Sequence, residues 1–382
     1  MFVFCVCFFV VVFDLFYLVS GIKQTYFRGE TSAQIDDFKF FNTRSVLAPD
    51  PKPIPLGFNY ISDVKNDSLL DVLNSIETTA FLIIKDDSIR VEKYWNGGGV
   101  DSLSNSFSIA KSIMSLLVGC AIDSGYIQSV DQSVFDFLPD FSPYKNQDVK
   151  IRHLLEMSSG FNWLENYKRP ISVTARAYYD NNLLKVLLKK NFSSPSGVVY
   201  NYNSGNTQLL GFILSRATGK TVSEFASEVL WSKVGATRNA VWSLDSKNGF
   251  EKTFCCFNSN ARDFSKIGLL MLNKGSFMGE GVVSEDYINW LLSKPELYEK
   301  IDSFNNVVDY YSNSWWLAEV KNYSVFYARG FNGQYIVVIP ELNLVFVRLG
   351  MRENEKSADN NTYKLTDNLK LFIEAVISEY SY

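Results

Sequence analysis

Four polar residues fall on one side of an otherwise apolar stretch at residues 108–123, SIAKSIMSLLVGCAID. Ser108, Lys111, Ser112 and Ser115 are spaced i, i+3, i+4 and i+7, which aligns them as one stripe in an α-helix. Apolar residues occur all round this helix, so the sequence predicts a buried central helix that begins near Ser108. Its polar stripe is the first candidate for chemistry.

Lys111 lies near the start of this predicted helix, where a positive charge is disfavoured twice. Burial removes its hydration, and the positive end of the helix dipole repels it, so we expect a lowered pKa. A neutral amine can act as the base for a serine one turn earlier, which here is Ser108. The same helix N-terminus offers backbone N–H groups to a developing oxyanion.

A serine three residues before a lysine is a weak signal by itself. It occurs at Ser20, Ser62, Ser108 and Ser142, and only Ser108 opens a predicted buried helix. Considered alone, the polar stripe is equally consistent with ordinary hydrogen bonds between packed helices.

Further runs along the chain resemble, in the same order, the serine β-lactamase and penicillin-binding-protein-like hydrolases. The runs are SFSIAKSIMSLLVGCAIDSGYI (106–127), IRHLLEMSSGFNWLE (151–165), YNYNSGNTQLLGFILSRATGK (200–220), VWSLDSKNGFE (241–251), NSNARDFSKIGLLMLNKG (258–275) and YARGFNGQYIVVIPELNLVFV (327–347). The resemblance spans roughly residues 75–350. In detail it looks like the branch that contains 6-aminohexanoate-dimer hydrolase and related esterases.

This resemblance implies roles for three residues. Ser108 matches the family nucleophile, and Lys111 matches its proton-handling lysine. Tyr202 matches the tyrosine that relays protons to the leaving group, and a tyrosine becomes useful for this only beside a cation or amine. Ser204 holds the position where many relatives have asparagine.

The third family element is a strand usually written K-T-G or H-T-G, and here it resembles Ala328-Arg329-Gly330. The lysine is missing, which argues against the usual recognition of a β-lactam carboxylate. Arg329 either replaces that charge or points elsewhere. By analogy, the backbone N–H groups of Ser108 and Phe331 would form the oxyanion hole.

The resemblance implies a serine hydrolase that cleaves a small amide or ester through an acyl-enzyme, with no metal and no organic cofactor. Two alternatives remain open at this point. One is a D-alanyl-D-alanine carboxypeptidase or β-lactamase that acts on cell-wall-like substrates. The other is a binding relative that keeps the fold without catalysis.

Composition excludes several other classes. The chain has 382 residues, 47% of them hydrophobic, which is enough for a large core. His153 is its only histidine, so catalytic zinc sites that need two or three histidines are nearly excluded, and we interpret His153 as structural. The net charge of −4 and the absence of a basic block argue against nucleic acid as a partner.

The first residues and the cysteines bear on location. Residues 2–22 are almost uninterrupted apolar sequence, which predicts a signal peptide or a membrane anchor at 1–22 and an exported, periplasmic or membrane-anchored protein. Association with a membrane would run through 2–22. The body contains Cys120, Cys255 and Cys256 without C-x-x-C spacing. Three cysteines, two of them adjacent, do not predict a disulfide framework, and we interpret all three as core residues.

The elements around the site do not alternate as βαβ units. The sequence predicts a hairpin from 79–84 and 88–95, mostly helices from 131 to 259, strands at 324–328, 334–339 and 344–349, and a helix at 364–378. This order predicts an α/β fold with an all-α part: an antiparallel sheet flanked by helices, built from both chain ends, with an inserted helical lobe, as in β-lactamases and transpeptidases. We place the sheet part at 23–128 and 265–382 and the helical lobe at 129–264. Within the lobe, Tyr178, Tyr179 and Asp180 are further candidates for lining a pocket.

Overall fold

The protein is described from a computed structural model that covers residues 14–299, 306–353 and 365–381. Its strands are β1 (Thr43–Val46), β2 (Leu56–Ile61), β3 (Thr78–Lys85), β4 (Ser88–Tyr94), β5 (Ser104–Asn105), β6 (Ala240–Ser243), β7 (Phe257–Ser259), β8 (Ser276–Phe277), β9 (Glu280–Gly281), β10 (Tyr311–Ser312), β11 (Trp315–Val320), β12 (Tyr323–Gly330), β13 (Gln334–Ile339) and β14 (Leu344–Gly350).

The described residues also form eleven α-helices, which alternate with groups of these strands along the chain. They are α1 (Phe16–Gln24), α2 (Asp67–Ser75), α3 (Ile109–Asp123), α4 (Ile151–Leu155), α5 (Val173–Tyr179), α6 (Leu183–Leu188), α7 (Ser204–Thr218), α8 (Val222–Ala226), α9 (Ala261–Leu272), α10 (Glu285–Leu291) and α11 (Asp367–Tyr380). Short 3-10 turns at Tyr26–Arg28, Asp37–Phe40 and Phe331–Gly333 matter for the site.

An eight-stranded sheet runs in the order β10-β11-β12-β13-β14-β3-β4-β2. Neighbouring strands are antiparallel except β2 and β4, which pair in parallel at one edge. Strands from the first hundred residues therefore pair with strands from the last eighty, through β14 and β3. The predicted sheet built from both chain ends is confirmed.

The central strands are apolar on both faces because helices cover both. Every residue of β13 and β14 is buried, as is all of β3 except its last residue. Helices α3 and α9 pack on one face of the sheet, while α2 and α11 lie on the other. The N-terminal end of α3 thus lies where one face of the sheet meets the helical lobe.

The segment between α3 and α9 is mostly helical. It contributes α4 to α8, then strands β6 and β7, which form a second, four-stranded sheet in the order β1-β6-β7-β5. Strand β5 ends three residues before Ser108, and β7 follows the Cys255-Cys256 pair. This small sheet therefore brings two distant segments of the chain together beside α3.

The predicted leader falls only partly within the described residues. Residues 1–13 lie outside them, whereas Phe16–Gln24 forms α1, which packs against α5. No helix in the described ranges has both the length and the apolar character needed to cross a membrane.

The expectation for the cysteines needs correction. All three body cysteines are buried, as predicted, but Cys255 and Cys256 are joined by a disulfide instead of being separate thiols. Cys256 has a φ of 67°, so the backbone turns between the two residues. Cys120 remains a free, buried thiol.

Candidate active site

The turn that leads into α3 is held in an unusual backbone conformation. Phe107, directly before Ser108, has a φ of 44°, in the left-handed region that residues with a side chain rarely adopt. The side-chain oxygen of Asn105 accepts hydrogen bonds from the backbone N–H of Phe107 at 2.9 Å and of Cys256 at 3.1 Å. The N–H of Ser106 donates to the Phe257 carbonyl at 2.9 Å. Contacts with β7 and the residue before it therefore fix the position of Ser108.

Ser108 and Lys111 are in direct contact. The Nζ of Lys111 lies 2.9 Å from the Oγ of Ser108 and 2.9 Å from the carbonyl oxygen of Phe254. Lys111 is only 2% exposed. Burial lowers the pKa of its amine to about 8, against a smaller opposing effect from the charge of Glu165. The amine is thus far easier to deprotonate than that of a surface lysine.

The rest of the polar stripe serves packing. Ser112 donates its hydroxyl hydrogen to the Ser314 carbonyl at 2.7 Å. Ser115 donates to the Ser112 carbonyl and accepts from the indole N–H of Trp315 at 3.2 Å. The stripe therefore divides into a reactive pair at the start of α3 and two serines that bond to neighbouring backbone and indole groups.

Tyr202 lies against this pair, as predicted. The Nζ of Lys111 is 5.1 Å from the centre of the Tyr202 ring. The ring is buried and packs on Trp316 at 5.7 Å between centroids. Tyr202 is held close by the start of α7, where the side chain of Asn203 accepts from the N–H of Asn206 at 2.8 Å.

Ser204 is linked to the site by hydrogen bonds to Glu165, a carboxylate that was not among the predicted site residues. Its N–H and its hydroxyl both donate to Glu165, at 2.7 and 2.9 Å. The indole N–H of Trp163 donates to the same carboxylate at 2.8 Å. Glu165 therefore sits at the positive end of α7, where a negative charge is stabilised.

Tyr167 is a second residue that the sequence did not single out. The residue is 53% exposed, its ring stacks on Phe331 with centroids 5.7 Å apart, and it lines the cavity together with Ser108. Burial, and next the charge of Glu165, raise the pKa of this hydroxyl well above its ordinary value. Tyr167 thus stays a neutral hydrogen-bond donor beside Ser108. Its loop lacks any periodic pattern, so only its closeness to Glu165 in the 151–165 run could have indicated it.

The third predicted element, Ala328-Arg329-Gly330, ends β12 next to the nucleophile turn. A Cβ at Gly330 would lie 2.2 Å from the Ser106 carbonyl oxygen, so only glycine allows this close approach. Phe331 follows at the edge of the cavity and packs edge-on against Phe107, with centroids 5.5 Å apart. The structure therefore brings Phe331 and Ser108 together.

Arg329 points elsewhere. Its guanidinium lies 5.9 Å from the ring centre of Trp316, and it is not among the residues that line the cavity at Ser108. The reason is strand alternation: Ala328 and Gly330 face α3, and the residue between them faces the opposite way. Ala328 accordingly occupies the position of the missing family lysine.

A buried arginine fixes the turn that carries Phe331. Arg348 of β14 is fully buried and donates to the carbonyls of Asn332 at 2.7 Å and Gly333 at 2.9 Å. It also bonds Ile76 and Thr78, at 2.6 and 3.2 Å. Burial lowers its pKa to about 10, so it remains charged at neutral pH.

The remaining candidate residues differ in whether they line the cavity that contains Ser108. Tyr178 and Tyr179 line the cavity that contains Ser108, whereas Asp180 does not line it and pairs with Arg176 at 3.0 Å. His153 lies at the start of α4, where its Nδ1 accepts from the N–H of Lys150 at 3.2 Å. It is absent from the cavity lining, in agreement with a structural histidine.

The pair at the start of α3, the tyrosine before α7 and the end of β12 thus lie together, and comparison with known sequences shows the family of the chain. A sequence model described as Beta-lactamase matches residues 67–368. The chain belongs to the beta-lactamase family. This membership confirms the predicted family and fold class, and it makes the protein a hydrolase of the beta-lactamase family.

The proteins similar to this beta-lactamase-family chain include hydrolases and a carboxylesterase. It is 26% identical over 286 residues to the 6-aminohexanoate-dimer hydrolase of Paenarthrobacter ureafaciens, covering 71% of this chain and 72% of that protein. A structure described as a 6-aminohexanoate-dimer hydrolase from Bacillus anthracis superposes with a TM-score of 0.72 at 20% identity, covering 91% and 94% of the two chains. A family VIII carboxylesterase superposes with a TM-score of 0.61 at 17% identity, covering 83% and 98%.

Proposed function

We propose that the protein hydrolyses a small amide or ester through an acyl-enzyme on Ser108. The observation that carries this proposal is the 2.9 Å contact between Ser108 Oγ and the buried, easily deprotonated amine of Lys111. The similarity to a 6-aminohexanoate-dimer hydrolase and to a carboxylesterase supports an amide or ester as substrate.

In the acylation step, the Oγ of Ser108 attacks the substrate carbonyl carbon while its proton moves to the neutral Nζ of Lys111. The carbonyl oxygen becomes an oxyanion, which the backbone N–H groups of Ser108 and Phe331 stabilise in this proposal. The Gly330 contact and the Arg348 anchor keep these two groups at a fixed spacing.

The bond to the leaving group then breaks. The leaving nitrogen or oxygen must take up one proton, which Tyr202 passes on from the Lys111 ammonium. The product at this point is an ester of the acyl group with Ser108. Tyr167, a neutral donor in the same cavity as Ser108, binds the leaving group in this proposal.

Deacylation repeats the same chemistry with water. A water molecule attacks the Ser108 ester and gives up one proton, which Lys111 and Tyr202 accept and relay. The Ser108–acyl bond breaks, Ser108 regains a proton, and the carboxylic acid leaves. None of these reaction steps uses a metal or an organic cofactor.

Two variants test the proposal with p-nitrophenyl acetate and a linear amide as substrates. Ser108→Ala should lose nearly all turnover, and Lys111→Ala should lose about 10²- to 10⁴-fold in kcat/KM. Ser124→Ala, at the exposed end of the same helix, is the control and should keep wild-type activity. Undiminished turnover in Ser108→Ala would overturn the proposal.

A further inference from the structure

The cavity at Ser108 has an unexpected wall. It measures about 180 Å³, and one side is formed by Leu18, Gly21, Ile22 and Tyr26 from α1 and the turn that follows it. Leu18, Gly21 and Ile22 belong to the predicted leader at 1–22, and Tyr26 follows it. The N-terminal segment is thus part of the cavity in which Ser108 lies.

Several contacts hold this segment to the body of the protein. Asp14 pairs with Arg176 at 2.5 Å and with Lys189 at 2.8 Å. Gly21 lies against the ring of Tyr179, so that a Cβ there would come within 3.2 Å of the ring. The wall is therefore packed on α5, whose residues also line the cavity.

A chain of hydrogen bonds links the same segment to the nucleophile turn. Arg28 pairs with the buried Asp37 at 2.7 Å, and Asp37 accepts from the hydroxyl of Tyr178 at 2.9 Å. The Tyr178 hydroxyl in turn accepts from Asn105 at 3.3 Å, and Asn105 holds the backbone of Phe107. The wall and the nucleophile turn are thus parts of one connected unit.

The chemistry of the lining is aliphatic and aromatic. Apart from hydroxyl groups, the lining near Ser108 consists of side chains such as Leu18, Ile22, Phe107, Tyr178 and Phe331. Among the described residues that line the cavity, the charged ones are Lys168 and Arg169, and both are exposed. The lining contains no carboxylate that could pair with an ammonium group on a substrate.

We propose that this cavity binds the acyl part of the substrate, and that the acyl part is a linear, uncharged aliphatic chain longer than acetyl. Leu18, Gly21 and Ile22 then determine the chain length that fits. This inference rests on the proposed function, since it concerns the acyl group transferred to Ser108. It also requires residues 14–28 to remain attached in the active enzyme, because Leu18, Gly21 and Ile22 lie within the predicted leader and form part of the wall.

The test compares kcat/KM of the full chain for p-nitrophenyl acetate, butyrate, hexanoate and 6-aminohexanoate. Each methylene group that enters the pocket should raise kcat/KM by up to roughly fourfold. Hexanoate should therefore exceed acetate by at least tenfold. The 6-amino ester should fall below hexanoate, because its ammonium group would lose hydration without gaining a partner.

A matched pair of variants connects this preference to the wall. Ile22→Asp puts a charge on the cavity side of α1, at a residue that is 45% exposed. Val19→Asp puts a charge on the same helix away from the cavity, at a residue that is 58% exposed. Ile22→Asp should reduce the hexanoate-to-acetate ratio of kcat/KM about tenfold. Val19→Asp should leave the ratio unchanged. Ile22→Ser provides an uncharged second variant, and its ratio should fall less than that of Ile22→Asp.

The outcomes separate the two proposals. If Ser108-dependent acetate turnover is present but hexanoate shows no advantage, or if both Asp variants change the ratio equally, the acyl-pocket inference is wrong and the serine hydrolase stands. If none of the esters is hydrolysed in a Ser108-dependent way, the proposed function fails and the inference fails with it.

Discussion

Gly330 approaches the backbone of Ser106 so closely that a Cβ on residue 330 would lie 2.2 Å from the Ser106 carbonyl oxygen. This contact joins the end of β12, which leads to Phe331, to the turn that leads to Ser108. Both donors of the proposed oxyanion hole therefore depend on one glycine. Because the obstacle is backbone and not a flexible side chain, a larger residue must displace the strand or the turn.

Gly330→Ala should consequently cause a large loss of kcat and a small loss of thermal stability. A displacement of an oxyanion donor costs about 10²- to 10³-fold in kcat. Gly281→Ala is the control, since a Cβ there would meet no atom within 4 Å. Steady-state kinetics and melting curves on both variants check the prediction, and a Gly330→Ala enzyme with normal kcat would contradict it.

The pH dependence should report the amine of Lys111. Burial lowers its pKa to about 8, and only the neutral amine can take the proton of Ser108. The activity should therefore rise with pH through about 8, and it should fall about tenfold per pH unit below that. Lys111→Arg, which cannot lose its proton, should be inactive over the whole range. A flat kcat/KM profile between pH 6 and 9 is incompatible with this role.

Glu165→Gln should shift that profile to lower pH. The negative charge of Glu165 raises the pKa of Lys111, so its removal should lower this pKa and make the neutral amine available at a lower pH. Lys252 is another buried lysine with a pKa of about 8, but the charges that raise its pKa are Asp245 and Asp180. A profile that moves in Glu165→Gln therefore belongs to Lys111.

Glu224→Gln supplies the matched control for that experiment. Glu224 also stands at a helix start, where it forms a capping box with Thr221 away from the cavity. Its loss should change stability slightly and leave the midpoint of the pH profile unchanged. Equal midpoints in the wild type and in Glu165→Gln would refute the electrostatic coupling between Glu165 and Lys111.

Asn105→Ala should weaken both folding and catalysis. It would leave the buried N–H groups of Phe107 and Cys256 without their shared acceptor, at a cost of about 1–3 kcal/mol for each. Released from this acceptor, Phe107 should relax from its left-handed conformation and move Ser108. Denaturant unfolding and kcat/KM measure the two effects. Asn162→Ala, an exposed amide paired with Asn191, should change neither by much.

Periodicity and apolar runs were sufficient to predict most of the fold. The predicted strand at 334–339 has the bounds of β13, because a fully buried strand between two layers is a continuous apolar run. The start of the helix at Ser108 was equally visible, since its polar residues stand out on a buried segment. In contrast, β2 follows four prolines and was not predicted, because its exposed edge position leaves no such pattern.

The site was predictable only where a residue lies on a regular element or in a motif that resembles the family, as Tyr202 does. Ser108, Lys111 and Tyr202 lie close together, whereas Tyr167 lies in a loop without a pattern. Residues 16–22 of the predicted leader also pack beside the cavity, and an apolar cavity wall and a membrane segment have similar composition. Contacts such as that between Asn105 and Cys256, 151 positions apart, leave no local trace in the sequence.

Intact mass spectrometry tests the central claim most directly. The full chain and Ser108→Ala would each be incubated briefly with p-nitrophenyl hexanoate, and separately with a fluorophosphonate probe, before acid quenching. The account predicts a single added hexanoyl or phosphonyl mass on the wild type, located by peptide mapping at Ser108, and no added mass on Ser108→Ala. The same adduct on Ser108→Ala, or a wild-type adduct located at another residue, would contradict it.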